Sequence, residues 1–544
     1  MSEHKYNVLV LDDEKFILLT VAACLKEGDY QVTTSDHAEE ALEAFKAKRY
    51  DAILSDIMMD SVDGFKFREM IRSYNKRVPI IFLTSLMDDI DNSLITRIMK
   101  DNYSYYLNKN FTRASLLDKL DQVVQAYQAQ NEISQLEQKI ESDLELATQV
   151  QIAMLPSWLQ YTESYEFSFI YRPLFKISGD LFEWIPLSGN RCLCVFGDIS
   201  GHGIHSALAM TAVQSILKQL STVNSPGSLQ PDRILSQLNE FFCDKLNMCS
   251  YMTCLVALWD FEENTLMFHN AGHPDLLCFN AESGQTIETN PNQCGSLPVG
   301  MLRNTEYLEE NNVMMKFDDD AVFFSHSDGL WDLGTHADDE SGIDPKTFAE
   351  LASAAAKDDN VVAIPYRLSG ALEQIGYATP RDDYFLFVIK KVVSGKKSVF
   401  RRQILPDMVS SDRATLEAAE FVENTLQSKE LAAKVEILLS EFLVNIVKHG
   451  LDDYKKATDV IALSIYGDHE KVVVSVLDRG RLWDSAATRT DEELDRLLTE
   501  LNQKKNQSGR GIPMIMKIAP QISRRHHCGL NETIFTIKAT GGNK

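Results

Sequence analysis

The feature that most constrains the fold is a repeat in the first 120 residues, where short apolar runs alternate with amphipathic helical stretches. The run YNVLVL leads into Asp12 and Asp13, and the run AILSD ends at Asp56. Two further runs, VPIIFLTS and SYYLNK, carry Thr84 and Lys109. Alternation of this kind predicts a parallel sheet with helices on both faces. Because reactive groups gather beyond the carboxyl ends of such strands, these five polar residues are expected to meet at one edge.

Carboxylates gathered at one edge suit a divalent cation. Three of them can hold Mg²⁺, and a carboxylate whose charge the metal offsets can attack a phosphoryl donor. Residues 1–122 resemble the response-regulator receiver family, which has a flavodoxin-like α/β fold. The resemblance implies an upstream histidine kinase as a partner. It also implies a phosphoacceptor and Mg²⁺ ligand (Asp56), further Mg²⁺ ligands (Asp12, Asp13 and the backbone carbonyl of Met58), phosphoryl-binding residues (Thr84 and Lys109) and a switch residue (Tyr106).

Residues 123–156 are predicted to form a polar helical linker, which contains no glycine and reaches its only proline at Pro156. Apolar residues recur along it at a heptad-like spacing, namely Ile133, Leu136, Ile140, Leu144 and Ala147. Two interpretations fit this pattern: a parallel homodimer of linker helices, or a single helix packed on its neighbours. The final stretch, ELATQVQIAMLP, resembles the segment that precedes phosphatase domains of the RsbU/SpoIIE type. In those proteins this helix couples the input domain to the active site.

Residues 157–394 mix strands and helices in an α+β order and carry aspartates beside apolar, strand-like runs. Asp180 lies in ISGDLFEW, Asp198 in CLCVFGDIS, Asp328 in VFFSHSDGLWD and Asp382 in RDDYFLFV. Four converging carboxylates form the oxygen-rich centre that suits Mg²⁺ or Mn²⁺. Two such ions at about 3.5–4 Å can activate a water and clamp a phosphate for in-line attack.

The motifs SGDLF, GDISGHG, NAGHPDLL, SDGLWD and DDYF together resemble the PP2C-like phosphatases of the RsbU/SpoIIE type. The resemblance implies a β-sandwich flanked by helices and a metal-dependent protein serine/threonine phosphatase activity. It implies Mn²⁺ or Mg²⁺ as the cofactor, with Asp383 as an alternative to Asp382 among the ligands. The ligands that it implies are Asp180, Asp198, the backbone carbonyl of Ile199, Asp328 and Asp382.

Residues 395–544 combine an amphipathic helix, a strand that ends in an acid and a glycine-rich loop. In AKVEILLSEFLVNIVKHG, Glu441 and Asn445 are four residues apart and therefore share one helix face. An amide oxygen of Asn445 can ligate Mg²⁺ while Glu441 acts as a base. The strand KVVVSVLDRG contains Asp478, which can accept an amino group from adenine. The loop SGRGIPMIMKI enters a helix, and helix N-termini bind phosphate.

This set resembles the GHKL ATPase fold, an α/β sandwich, and within it the anti-sigma-factor serine kinases of the RsbW/SpoIIAB type. The resemblance implies Mg²⁺ and ATP as cofactors, with Glu441 as the general base for a substrate serine. The nucleotide-site residues that it implies are Asn445, Asp478, Gly480, Gly509, Arg510 and Gly511.

Composition limits the kinds of partner. The chain has 79 acidic and 54 basic residues and a net charge of −25, which argues against nucleic acid as a partner. The nine cysteines show no CxxC pattern, as is usual for reduced thiols. The N-terminal residues lack the apolar stretch of a signal peptide, and no run reaches the roughly 18 apolar residues that span a membrane. We therefore expect a cytoplasmic protein without a membrane partner.

The order of the three regions resembles the three-domain response regulators of partner-switching systems, of the HsbR/CrsR type. This resemblance implies a bifunctional enzyme that removes phosphate from, and adds it to, a serine of a STAS-domain anti-sigma-factor antagonist. An anti-sigma or sigma factor would be a further partner, and sigma-factor activity the output. We hypothesise that receiver phosphorylation favours the phosphatase. Two alternatives stay open: a non-catalytic binding module controlled by phosphorylation, and a phosphatase with an ATP-sensing C-terminal domain.

Overall fold

The structure is a computed structural model, and it divides into two compact units, Met1–Asp143 and Leu144–Lys544. Among the described residues every cysteine is a free thiol, and no helix has the length and apolarity to cross a bilayer. The residues described are 6–26, 30–59, 62–85, 92–201, 203–222, 229–246, 250–335, 342–358, 360–393, 399–451, 459–481 and 511–539.

The first unit is built on a parallel sheet with helices on both faces. Its strands are β1 (Tyr6–Leu11), β2 (Tyr30–Ser35), β3 (Ala52–Asp56), β4 (Ile80–Thr84) and β5 (Ser104–Asn108). Its first helices are α1 (Lys15–Lys26), α2 (Ala38–Ala47), α3 (Gly64–Tyr74) and α4 (Asn92–Met99). The strand order is β2-β1-β3-β4-β5, and separate apolar clusters cover the two faces. The predicted flavodoxin-like sheet is confirmed.

The edge strand β2 corrects the predicted strand count. The apolar runs predicted four strands, but YQVTTS pairs in parallel with β1 and makes a fifth. Only Tyr30 and Ser35 of this strand are buried, because it has a neighbour on one side alone. An edge strand of this kind lacks the continuous apolar run that marks a central parallel strand.

One helix, α5 (Arg113–Met154), runs through the predicted boundary at residue 122. Its first turns pack on the sheet, where Leu116 and Leu120 are fully buried. Farther along, Ile133 and Ile140 are more than half exposed. The receiver's last helix and the predicted linker are therefore one element, since neither glycine nor proline interrupts the helical backbone.

The middle of the chain is a β-sandwich. Its strands are β6 (Leu159–Tyr161), β7 (Tyr165–Arg172), β8 (Asp180–Leu187), β9 (Arg191–Ile199), β10 (Met252–Asp260), β11 (Thr265–Ala271), β12 (Leu277–Asn280), β13 (Thr286–Ile287), β14 (Val313–Lys316), β15 (Ala321–His326) and β16 (Tyr384–Lys391). The two antiparallel sheets have the orders β14-β11-β10-β9-β8 and β13-β12-β15-β16-β7-β6. Its helices are α6 (Ile204–Thr222), α7 (Pro231–Asp244), α8 (Pro345–Ala356) and α9 (Ile364–Gln374).

Aromatic side chains hold the two sheets of the sandwich together. The ring of Phe182 in β8 lies 5.0 Å from that of Phe387 in β16, and 6.1 Å from that of Phe167 in β7. All three residues are fully buried. Such tilted and edge-on pairs add to the burial of apolar area, so the core fixes the sheets that carry the acidic residues.

The C-terminal region has a single antiparallel sheet with strand order β17-β18-β19-β21-β20. These strands are β17 (Phe400–Ile404), β18 (Ile461–Gly467), β19 (Lys471–Asp478), β20 (Gln521–His527) and β21 (Leu530–Lys538). Its helices are α10 (Met408–Thr425), α11 (Lys429–Asn445) and α12 (Gly511–Ile518). Apolar side chains of α10, α11 and α12 pack on one face of the sheet.

Helix α11 ends earlier than the sequence predicts. The apolar pattern predicts one helix through Gly450, but the α-helical turns stop at Asn445 and a π-helical turn covers Ile446–Gly450. Such single π turns are often found at functional sites.

The second face of the C-terminal sheet packs on the sandwich. Val460, Leu477 and Leu530 belong to the same buried cluster as Ala363 and Ile364 at the start of α9. The two regions of the second unit therefore share a buried apolar cluster at their boundary.

Candidate functional sites

The edge where β1 and β3 end brings three carboxylates together. One oxygen each of Asp12, Asp13 and Asp56 lie within 4.8 Å of one another, as a divalent cation requires. Nζ of Lys109, which follows β5, lies 2.9 Å from Oδ2 of Asp56 and 3.0 Å from Oδ2 of Asp12. Burial lowers the pKa of the Lys109 ammonium, but its hydrogen bonds to these two carboxylates outweigh that effect and raise it. Burial also raises the pKa of the Asp12 carboxyl.

The other receiver residues lie around this edge. Thr84 ends β4, and its backbone carbonyl accepts a 2.6 Å hydrogen bond from the backbone N–H of Lys109. Tyr106 lies in β5 opposite Phe82 and is partly exposed. The side chain of Met58 points to solvent, which leaves the backbone carbonyl as the atom for a metal. Gly64 packs so tightly on the carbonyl of Asp56 that a Cβ atom there would lie 2.2 Å from it.

The four aspartates of the sandwich come from two pairs of neighbouring strands, one pair in each sheet. Asp180 opens β8 directly opposite Asp198 in β9. Asp328 begins the turn after β15, and Asp382 precedes β16, the antiparallel neighbour of β15. The structure therefore brings together residues that lie up to two hundred positions apart in the chain.

Burial and mutual repulsion shift the acidity of this cluster. Burial, followed by the charge of Asp198, raises the pKa of the Asp180 carboxyl well above its usual value. Burial, with the charges of Asp328 and Asp382, raises the pKa of Asp198 to about 7. Burial and the charge of Asp382 likewise raise that of Asp328. Carboxylates that repel one another in this way favour a compensating positive charge at neutral pH.

The site has the features that a metal ion would use. Oδ2 of Asp180 is buried, and no group in the described part of the chain donates a hydrogen bond to it. A Cβ atom on Gly179 would lie 2.9 Å from the carbonyl oxygen of Ile199 and 3.4 Å from Oδ1 of Asp198, so only glycine fits there. The donors are all oxygens, which Mg²⁺ and Mn²⁺ prefer. The residues present therefore fit a divalent metal centre.

Asp383 has a different environment from Asp382. Its Oδ1 accepts a 2.8 Å hydrogen bond from the backbone N–H of Leu174, and its Oδ2 accepts one of 3.0 Å from that of Gly179. Through these two hydrogen bonds Asp383 holds the loop before Asp180 in place. This geometry favours Asp382 over Asp383 as the ligand.

Gln151, near the end of α5, is a site residue that the sequence analysis missed. Its amide donates a 2.7 Å hydrogen bond to the carbonyl oxygen of Ser178 and accepts one of 3.1 Å from the N–H of Ser178. Oγ of Ser178 in turn accepts a hydrogen bond from the backbone N–H of Asp180. One turn earlier in α5, Thr148 donates a hydrogen bond to the carbonyl of Lys176. Nothing in the sequence set Gln151 apart from the other glutamines of this polar helix, because its burial depends on the loop that it meets.

In the C-terminal region, Glu441 and Asn445 lie on α11 beside the start of α12. A Cβ atom on Gly511 would lie 2.5 Å from Oε2 of Glu441 and 3.5 Å from Nδ2 of Asn445. The predicted carboxylate, amide and glycine are therefore in one place, at the N-terminus of a helix. Gly509 and Arg510 lie outside the described residues.

Asp478 and Gly480 form a second part of this region. Oδ1 of Asp478 accepts a 2.8 Å hydrogen bond from the N–H of Gly480 and one of 3.1 Å from Nδ2 of Asn531 in β21. Nδ2 of Asn531 also donates to the carbonyl of Gly480. A Cβ atom on Gly480 would lie 2.9 Å from the carbonyl oxygen of Gly450. Asn531 was not predicted, because its partner is set by the register of β19 and β21.

Three family models match the chain in succession. Residues 8–121 match the response regulator receiver domain, residues 188–392 match stage II sporulation protein E, and residues 406–537 match the histidine kinase-like ATPase domain. The chain therefore contains a receiver domain, a PP2C-like domain of the SpoIIE family and a GHKL-like ATPase domain, in the predicted order.

Curated relatives match parts of the chain. Transcriptional regulatory protein YvrH of Bacillus subtilis is 36% identical over 98 residues, which are 18% of this chain and 41% of YvrH. Phosphoserine phosphatase RsbU of the same organism is 21% identical over 210 residues, 39% of this chain and 59% of RsbU. The chain thus spans about half the length of these relatives.

Solved structures show a similar pattern of partial likeness. The RsbU and RsbW domains of Rv1364c from Mycobacterium tuberculosis are 18% identical, with a TM-score of 0.37, over 71% of this chain and 96% of that one. The SiaA-PP2C domain of Pseudomonas aeruginosa is 17% identical, with a TM-score of 0.39, over 47% of this chain and 99% of that one.

Proposed function

We propose that this chain of receiver, PP2C-like and GHKL-like domains is a bifunctional response regulator. It dephosphorylates and phosphorylates a serine of a STAS-domain anti-sigma-factor antagonist, and phosphorylation of Asp56 controls the balance. The observation that carries the proposal is that an acidic cluster around the buried Asp180 and a Glu441–Asn445–Gly511 site occupy one compact unit. The first suits removal of phosphate and the second suits its transfer from a nucleotide.

The phosphatase half uses the aspartate cluster. Asp180, Asp198, Asp328, Asp382 and the carbonyl of Ile199 would hold Mn²⁺ or Mg²⁺, which when bound supplies an activated water and a clamp for the phosphate. Asp383 and Gln151 keep the loop before Asp180 in place through backbone hydrogen bonds. Burial of Asp180 keeps bulk water from screening the charge of that carboxylate.

The kinase half uses the end of α11. Glu441 would take the proton of the substrate serine hydroxyl, and Asn445 would hold Mg²⁺ with ATP, which supplies the transferred phosphoryl group. The first turn of an α-helix has backbone N–H groups without intrahelical partners, so the N-terminus of α12 suits phosphate oxygens. Asp478, held by Asn531, is placed to accept the adenine amino group.

Partners follow from the same proposal. An upstream histidine kinase donates phosphate to Asp56, and the ammonium of Lys109 stabilises the negative charge that the phosphate adds. The antagonist's phosphorylation state then decides whether an anti-sigma or sigma factor is sequestered. RsbU is by name a phosphoserine phosphatase, which favours a phosphoserine substrate here. We place these reactions in the cytoplasm, and the net charge of −25 opposes a nucleic-acid partner.

The test measures phosphoserine on a candidate STAS-domain protein incubated with the full chain. With Mg²⁺ and ATP, the wild type should add phosphate and a Glu441→Gln variant should not. After Mn²⁺ and acetyl phosphate are added, the wild type should remove the phosphate, whereas Asp198→Asn should leave it in place. Asp56→Asn should abolish the effect of acetyl phosphate while both basal rates persist.

The alternatives give different results in the same experiment. A non-catalytic binding module would bind the partner equally well with Glu441→Gln or Asp198→Asn and would change no phosphoserine. A phosphatase with an ATP-sensing domain would remove phosphate but never add it.

A further inference from the structure

The interface between the GHKL-like sheet and the PP2C-like domain contains a partly buried ion pair. The guanidinium of Arg367 in α9 donates two hydrogen bonds to the carboxylate of Glu532 in β21. Nε lies 3.2 Å from Oε2, and Nη2 bonds Oε1. Arg367 also pairs with Asp358 of its own domain. Glu532 is almost fully buried, whereas the side chain of Arg367 is about one fifth exposed. A bidentate pair in such a place fixes the orientation of the two elements.

Asn531, the residue before Glu532, contacts the proposed nucleotide site. Asn531 donates hydrogen bonds to Oδ1 of Asp478 and to the carbonyl of Gly480. Its own Oδ1 bonds Nδ1 of His526 across the hairpin of β20 and β21. The hairpin therefore holds the carboxylate that would bind adenine.

The turn of the same hairpin contacts the PP2C-like domain. Nη1 of Arg172, at the end of β7, lies 3.4 Å from Sγ of Cys528 in the turn. Oγ of Ser369 in α9 lies 3.0 Å from the same sulfur. Arg172 pairs in register with Tyr384, the residue after Asp383. Two residues beyond Arg172, Leu174 donates its N–H to Asp383.

We propose that the β20–β21 hairpin makes an adenine nucleotide an allosteric effector of the phosphatase centre. The inference rests on the proposed nucleotide site and adds a regulation to it. A ligand that engages Asp478 shifts the hydrogen bonds of Asn531, and the hairpin passes that shift to Arg172 and to the loop that Asp383 fastens. Nucleotide and phosphatase-site ligands are then coupled, and each must alter the other's affinity by the same factor.

The experiment measures both directions of this coupling in the full chain. Hydrolysis of p-nitrophenyl phosphate is followed at fixed free Mn²⁺, with and without ADP, while fluorescent mant-ADP reports nucleotide binding. We expect saturating ADP to change kcat/KM or the Mn²⁺ half-saturation concentration by about fivefold or more, the lower end of typical allosteric couplings. An Asp478→Asn variant, which weakens nucleotide binding, should show no ADP effect, and this excludes competition by ADP at the phosphatase centre.

The interface variant is Glu532→Gln, which keeps the shape of the side chain and removes its charge. It should retain basal phosphatase activity and mant-ADP binding while the ADP effect falls towards zero. Glu470→Gln, at an exposed position of the same domain, is the matched control and should leave the coupling intact. Arg367→Lys, which keeps the charge and loses the two-pronged contact, provides a second variant if Glu532→Gln fails to fold.

The outcomes separate this inference from the proposed function. If mant-ADP binds and the phosphatase parameters stay constant, the coupling is wrong and the nucleotide site stands. If mant-ADP does not bind at any concentration tested, both the proposed nucleotide site and the coupling are wrong. An ADP effect that survives in Glu532→Gln and Arg367→Lys would show that the hairpin interface does not carry it.

Discussion

At the scale of single residues, the acidic cluster decides how the PP2C-like domain responds to pH. Burial and the charges of Asp328 and Asp382 raise the pKa of the Asp198 carboxyl from 3.8 to about 7. Without a metal ion the folded protein therefore keeps a proton that the unfolded chain has released. The contribution of this carboxyl to stability must fall as pH rises between these two values and level off above about pH 7.

Replacing Asp198 by Asn removes this penalty and also removes a proposed metal ligand. In EDTA, Asp198→Asn should be more thermostable than the wild type by a margin that grows from pH 5 to about pH 7 and then levels off, at no more than about 1.4 kcal/mol per pH unit. With Mn²⁺ the order should reverse, because the wild type gains binding energy that the variant loses. Thermal unfolding across pH with and without Mn²⁺ checks both signs. Equal melting temperatures in EDTA at every pH would contradict the proposed repulsion.

At the scale of elements, helix α5 connects the receiver to the metal centre without a break. Its first turns are part of the receiver core, and Gln151 at its other end holds the segment that presents Asp180. A rotation or shift of the helix end would therefore change the position of a metal ligand. Helix α5 is the element through which we expect phosphorylation of Asp56 to act.

Gln151→Ala should weaken metal binding at the phosphatase centre. Loss of a hydrogen-bond partner behind a metal ligand typically costs about 10–100-fold in affinity or activity, and the freed groups of Ser178 cost about 1–3 kcal/mol of stability. We expect the Mn²⁺ half-saturation concentration to rise about tenfold or more while KM for p-nitrophenyl phosphate changes little. Gln138→Ala, on the exposed surface of the same helix, is the control. An unchanged Mn²⁺ dependence in Gln151→Ala would remove Gln151 from the site.

At the scale of the whole molecule, the exposed apolar face of α5 bears on assembly. Ile133, Leu136 and Ile140 are 56%, 59% and 57% exposed and follow the spacing of a coiled coil. The helix of 42 residues is about 63 Å long. We therefore expect a homodimer through this face rather than a single packed helix.

The triple variant Ile133→Ser, Leu136→Ser, Ile140→Ser should therefore weaken dimerisation without unfolding either unit. Light scattering after size-exclusion chromatography should give twice the chain mass for the wild type and a monomer for the triple variant. The helical circular dichroism should fall only modestly. A wild type that stays monomeric at every concentration tested would show that the helix serves as a spacer alone.

Much of the architecture could be read from local patterns. Apolar runs and helical periodicity predicted the parallel sheet of the first unit, because such patterns record burial on one or two faces of an element. They omitted β2, whose half-exposed pattern is that of an edge strand. They also extended α11 through Gly450, because a π turn keeps the same apolar residues buried.

The sequence by itself determined which residue types were available for phosphate chemistry: acids at strand ends, Glu441 and Asn445 four apart, and glycines where backbones must approach closely. Only the tertiary structure decided which of them meet and what holds them. Gln151 meets Ser178, Asn531 meets Asp478, and Arg367 meets Glu532 across a domain boundary. The physical reason is that hydrogen bonds and ion pairs depend on distances of about 3 Å. Local periodicity fixes such distances within one element, whereas the packing of elements fixes them between residues far apart in the chain.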